Sequence, residues 1–263
     1  MTAPSKISIK KLPQVTALFW VLKIAATTLG ETGGDEVAQT LHLGYLVSFF
    51  LFIALFLVAV TAQLRAKRLS PPLYWTVIIA TSTAGTTLSD FLDRSAGLGY
   101  LKGSVLIFSG LLITFVVWSR SGETFAVEKI KTVRGETFYW TAILLSNTLG
   151  TAFGDFLCDS SGLHYWGSAL LIATVMAAVL LAHFSTDISD TVLFWTAFVL
   201  TRPLGATAGD LLWKPHDKGG LGLGSANVSY GLLALIGCLT LYSAWQQRQE
   251  EEERAVFPRS AAA

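Results

Sequence analysis

Charge is scarce in this chain. Only 14% of its 263 residues are Asp, Glu, Lys or Arg, and 52% are hydrophobic. A soluble domain carries about a quarter charged residues, so the composition excludes a conventional soluble protein and predicts a polytopic membrane protein. The net charge of +1 gives no field for a polyanion, and nucleic acid is excluded as a partner. Cysteine is limited to Cys158 and Cys238, far apart in the chain, which makes neither a disulfide framework nor a zinc spacing. The four histidines are scattered, with no pair at helical ligand spacing. No nucleophile–base pair or metal-hydrolase motif is present, and no organic cofactor is expected.

What the chain does have is one pattern written four times. A tryptophan is followed ten residues later by glycine and five after that by aspartate: Trp20/Gly30/Asp35, Trp75/Gly85/Asp90, Trp140/Gly150/Asp155 and Trp195/Gly205/Asp210. The copies start 55, 65 and 55 residues apart. A second small residue precedes each aspartate: Gly34, Ser89, Gly154 and Gly209. Each copy lies in an apolar stretch, where a carboxylate is expensive and usually functional.

Each repeat reads as two helices joined by a short loop. The first helix carries the pattern. The second is a cleaner apolar run near 45–64, 100–118, 165–183 and 226–245. The fold class is therefore all-α: eight transmembrane helices, arranged as four parallel tandem hairpins with pseudo-fourfold or two-plus-two symmetry. The repeats divide one membrane domain at about 12–66, 67–131, 132–186 and 187–247, with a tail over 248–263. The basic N-terminus followed by an apolar run resembles a signal peptide. Cleavage there would destroy one of four equivalent units, so the run is read as the first span.

Thirteen basic residues fall on one side. They are Lys6, Lys10, Lys11, Arg65, Lys67, Arg68, Arg120, Lys129, Lys131, Arg134, Arg248, Arg254 and Arg259. The opposite side has Arg94, Lys102, Lys214 and Lys218. The positive-inside rule then places both termini in the cytoplasm and the protein in the inner membrane. Trp20, Trp75, Trp140 and Trp195 become anchors at the inner interface. The aspartates lie about 22 Å further along each helix, near the outer surface.

At 100° per residue, Lys23, Thr27, Gly30, Glu31, Gly34 and Asp35 all fall within about 80° of Trp20. The stripe is polar seven residues after every tryptophan: Thr27, Ser82, Asn147 and Arg202. Gly30/Gly34, Gly85/Ser89, Gly150/Gly154 and Gly205/Gly209 are small-xxx-small surfaces for close helix packing. The stripe should face other helices, and the second helices should face lipid.

Four carboxylates converging at about 7 Å would repel by roughly 2.4 kcal/mol per pair at an effective dielectric near 20. They must bind protons, bind a cation or pair with bases. Asp35, Asp90, Asp155, Asp210 and Glu31 face two bases on the stripe, Lys23 and Arg202, which leaves an excess of negative charge. Carboxylate and hydroxyl oxygens without His or Cys favour a hard cation: Mn²⁺, Ca²⁺, Mg²⁺, Na⁺ or H⁺. Plainer roles stand beside these. Lys23 could snorkel past Trp20, and the aspartates could be helix-end carboxylates touching water. Pro203 should kink or open the seventh helix. Glu36, Asp93, Asp159 and Asp217 form either an acidic vestibule or solvated loop charge.

With these repeats the chain resembles a bacterial family of uncharacterised membrane proteins with four tandem two-helix repeats. Trp20, Trp75, Trp140 and Trp195 match the characteristic tryptophan of each repeat, over roughly residues 12–247. The resemblance implies architecture and supplies no activity. The Gly-x-x-x-Gly-Asp helices are loosely similar to the acidic motifs of manganese and calcium exchangers. The leading expectation is a transporter or channel for a hard cation, with the lipid bilayer and an inorganic cation as partners. The aspartates would be the metal ligands. Two alternatives are a structural or sensory module stitched by Asp–Lys/Arg pairs, and an outward-opening enzyme or binding site using Asp93, Asp159 and His164.

Overall fold

The computed structural model describes residues 12–66 and 68–256, with side chains as far as 249. Lys6, Lys10, Lys11, Lys67 and Arg259 of the basic side lie outside the described residues, and so does the side chain of Arg254.

Four helices carry the repeated pattern: α1 (Ala17–Asp35), α3 (Pro71–Asp90), α5 (Val133–Asp155) and α7 (Asp190–Trp213). Four alternate with them: α2 (Tyr45–Arg65), α4 (Gly99–Arg120), α6 (His164–Ser185) and α8 (Ser225–Val256). Among the described residues there is no strand. The starts of the patterned helices follow local rules. The side chains of Thr16, Thr132 and Ser189 each accept a backbone N–H of the first turn. Pro71 opens α3, where its missing N–H costs nothing. α7 continues through Pro203.

The patterned helices form a closed ring in which α1 packs on α3, α3 on α5, α5 on α7, and α7 back on α1. The apolar helices lie outside, each against the patterned helix of the next repeat: α2 on α3, α4 on α5, α6 on α7, and α8 on α1. The hairpins therefore interlock like a pinwheel. Both flanks of each patterned helix are used by its ring neighbours, so an outer helix settles over the neighbour. α8 closes the circle, with Ser229 Oγ donating to Thr32 Oγ1 at 2.8 Å.

The glycine ten residues after each tryptophan makes the ring tight. A Cβ on Gly30 would lie 2.2 Å from Ser82 Oγ. The same atom on Gly85 would lie 3.0 Å from Asn147 Cβ, on Gly150 2.6 Å from Arg202 Cβ, and on Gly205 2.4 Å from Thr27 Oγ1. Each glycine thus receives the polar stripe residue of the following repeat, four times in the same register. Only glycine allows that approach.

The tryptophans differ from their expected role as lipid-interface anchors. Trp75, Trp140 and Trp195 are buried and Trp20 is half-buried. Each meets the aromatic residue that precedes the tryptophan of the repeat before it. The ring pairs are Phe19–Trp75 at 5.7 Å, Tyr74–Trp140 at 5.5 Å, Tyr139–Trp195 at 6.0 Å and Phe194–Trp20 at 5.8 Å. Indoles bury more area in this aromatic belt than they would at a surface. The longer link between the second and third repeats adds to it: Trp195 Nε1 donates to the Phe125 carbonyl at 3.1 Å.

Four helices are long and apolar enough to cross a membrane: Tyr45–Arg65, Gly99–Arg120, His164–Ser185 and the stretch Ser225–Gln249 of α8. These are the outer helices. Their exposed faces carry large apolar residues such as Phe50, Val58, Leu101, Ile113, Leu170 and Leu181. So wide an apolar surface suits a membrane protein.

Candidate functional site

The polar stripes point into the ring and stack in layers four residues apart. From the tryptophan end, the layer of Thr27, Ser82, Asn147 and Arg202 is followed by Glu31, Thr86, Thr151 and Ala206, and then by Asp35, Asp90, Asp155 and Asp210. All twelve are buried. Four residues beyond the aspartates comes a layer that the repeat pattern had not drawn in: Gln39, Arg94, Asp159 and Lys214. These four line a cavity of about 410 Å³ together with Tyr165 and Trp213. The layers therefore lead from a mouth at the aspartate end to the aromatic belt at the other. There Tyr74 and Tyr139 share a hydroxyl–hydroxyl hydrogen bond of 2.7 Å.

A π-helical turn follows the aspartate in three repeats: Glu36–Thr40, Phe91–Ser95 and Phe156–Ser160. It widens the helix and directs the fourth residue after the aspartate back over the layer. Such turns favour functional sites. The fourth repeat lacks it and presents Lys214 from the helix end.

The side chains split the fourfold layer into two pairs. Arg94 bridges Asp90, through Nε at 3.0 Å, and Asp155, through Nη2 at 3.1 Å. On the opposite pair, carboxylate oxygens of Asp35, Asp210 and Glu31 all lie within 4.8 Å of one another. Lys214 Nζ reaches Asp210 Oδ2 at 2.6 Å, and Gln39 Nε2 donates to Asp35 Oδ1 at 2.5 Å. Burial penalises the charge of both Lys214 and Arg94, yet the neighbouring aspartates outweigh it and hold each group above its ordinary range.

Arg202 crosses the ring axis and binds all the other repeats. Its Nη2 donates to Glu31 Oε2 at 2.9 Å, to Thr151 Oγ1 at 2.6 Å and to Thr86 Oγ1, and Nη1 donates to the Thr27 carbonyl at 3.3 Å. Lys23 does not snorkel. It is fully buried, with Nζ 4.0 Å from the Phe198 ring centroid.

The charge count changes accordingly. The axis holds six acids against four bases once Arg94, Lys214 and Asp159 of the outermost layer are counted with Lys23, Arg202 and the five stripe acids. The expected excess of about three negative charges falls to two.

The four repeats match a family model described as "Repeat of Unknown Function (DUF347)", at residues 18–69, 73–124, 138–189 and 193–249. The chain belongs to the DUF347 repeat family. No curated protein and no solved structure matches it. The starts of the DUF347 matches repeat the 55, 65 and 55 residue spacing of the tryptophans.

The outer-loop residues take separate places. Asp93 is buried and accepts from Ser89 Oγ at 3.3 Å, while Asp159 accepts from Tyr100 at 2.6 Å. Glu36 accepts from Ser225 at 2.5 Å, and Asp217 is exposed. His164 is exposed at the start of α6 with φ of 53°. Asp93 and Asp159 are engaged with other residues, which weakens an enzyme site built with His164. Arg94, Lys214, Thr86 and Thr151 are residues of the candidate site that the repeat pattern did not mark. Continuing the same register by four residues would have found the first two.

Proposed function

We propose that this protein is a cation carrier of the inner membrane, with all eight helices spanning and both termini cytoplasmic. A hard cation enters from the aspartate end and binds among Glu31, Asp35 and Asp210. One observation carries the reading: three buried carboxylates lie within 4.8 Å of one another on the axis of a closed ring. At that separation each ionised pair repels by about 3.5 kcal/mol at an effective dielectric near 20. A divalent ion or protons would relieve that cost.

Arg202 is a tethered cation on Glu31, so the substrate and the guanidinium compete for the same carboxylate. The aromatic belt closes the axis beyond Lys23, which favours alternating access over an open channel. The test is metal accumulation by cells producing wild type or Asp35→Asn. Wild type should change cellular Mn²⁺, Ca²⁺ or Mg²⁺ content, and Asp35→Asn should not. Equal content in both argues against the carrier.

A second reading has its own support. Every aspartate of the layer already has a protein partner, as a purely structural stitching of helices requires. In that case Asp35→Asn lowers thermal stability and no cation moves in wild type.

A further inference from the structure

A second group of polar atoms lies on the tryptophan side of the Arg202–Glu31 pair. Lys23 Nζ, Ser82 Oγ, both amide atoms of Asn147 and Arg202 Nε are buried with no hydrogen-bond partner among the described residues. All four residues have 0% exposure. Ser82, Asn147 and Arg202 occupy one layer, each seated on the glycine of the preceding repeat. Lys23 stands one helical turn nearer the aromatic belt, with its carbonyl accepting from Thr27 Oγ1 at 3.1 Å.

So many unmade hydrogen bonds in a ring interior require a partner. The charges say which kind. Glu31 is engaged with Arg202 and stands eight residues beyond Lys23 on α1, about 12 Å of rise. The charged side chain in the layer next to Lys23 is Arg202, of the same sign and equally buried. The face of Phe198 attracts the ammonium but accepts no conventional hydrogen bond. Water could satisfy the donors and would leave two like charges unscreened. The free groups are rich in donors: an ammonium, the Nε–H of a guanidinium, an amide NH₂ and a hydroxyl.

We propose that this layer binds a small monovalent anion of the halide class, held by Lys23 Nζ, Arg202 Nε and Asn147 Nδ2, with Ser82 Oγ as a fourth donor. The anion neutralises Lys23 and leaves the Arg202–Glu31 pair intact. It lies on the far side of Arg202 from the three carboxylates, so it stands or falls apart from cation transport.

The test compares thermal unfolding of the detergent-purified full chain in saturating chloride and in gluconate, a much larger organic anion. Tm should be about 5–10 °C higher in chloride, as for a ligand at about 100 times its Kd. Bromide should substitute, giving an anomalous peak between Lys23 and Asn147 in crystals. Asn147→Asp supplies its own anion and should fold without any response to halide; Lys23→Met should also lose the response. Equal Tm in chloride and gluconate overturns the proposal. So does a response that persists in Asn147→Asp, or a site filled by water alone.

Discussion

Replacing Arg202 by methionine removes the only side chain among the described residues that ties all four repeats together across the axis. The guanidinium makes bonds of 2.9 Å to Glu31, 2.6 Å to Thr151 and 3.3 Å to the Thr27 carbonyl, besides its contact with Thr86. Methionine keeps much of the volume, so the main effect is electrostatic. Among the described residues Glu31 would keep the Thr86 hydroxyl, at 3.4 Å, as its hydrogen-bond donor. Breaking a buried pair by removing one partner costs about 3–5 kcal/mol. For a chain of this size that lowers Tm by roughly 10 °C or more. Glu31→Gln should cost a similar amount by stranding the guanidinium. The double variant strands neither charge, so its loss should fall short of the sum by about 2–3 kcal/mol. Scanning fluorimetry of the intrinsic tryptophans measures all three. Additive losses, or an Arg202→Met protein as stable as wild type, would refute the idea that this pair holds the axis.

Three further outcomes are expected. Gly205→Ala and Gly30→Ala should destabilise by at least about 1–3 kcal/mol through overpacking, because the added Cβ would fall 2.4 Å from Thr27 Oγ1 or 2.2 Å from Ser82 Oγ. Gly33→Ala meets nothing nearer than 4.0 Å and should leave Tm unchanged or slightly raised. Trp140→Ala should cost about 3–5 kcal/mol in unfolding experiments, whereas an interface anchor would lose much less. In a cysteine-free background, a membrane-impermeant maleimide should label Asp217→Cys on intact cells and label Glu128→Cys only after lysis; the reverse pattern would invert the orientation.

The repeat, the stripe and the division into patterned and apolar helices were legible in the sequence because each depends on spacing along one helix. Gly30, Gly85, Gly150 and Gly205 announced close packing by their register. Which helix they would meet depended on ring closure, which is a property of four repeats together. The tryptophans illustrate the same boundary. A bulky amphipathic residue near a span's end fits an anchor or a buried packing element equally well, and only the aromatic neighbour from the preceding repeat decides. Arg94 and Lys214 escaped notice because they follow the apolar stretch and read as loop charges. The four-residue register reaches Arg94, and the π-helical turn after Asp90 carries it back over the aspartates. The split of the aspartates into a pair bridged by Arg94 and a pair held separately by Lys214 and Gln39 follows from those side chains.

In the proposed carrier a cation binds at the Glu31–Asp35–Asp210 carboxylate cluster on its way through the ring. Uptake of Mn²⁺, Ca²⁺ and Mg²⁺ into proteoliposomes containing purified wild type, Asp35→Asn or Asp90→Asn tests it directly. Wild type should take up at least one of these ions in a saturable manner. Uptake should fall at least about tenfold in Asp35→Asn, as when a buried charged ligand worth more than about 1.4 kcal/mol is lost. It should fall less in Asp90→Asn, whose carboxylate is held by Arg94. Absence of uptake by wild type, or equal uptake by wild type and Asp35→Asn, would contradict it.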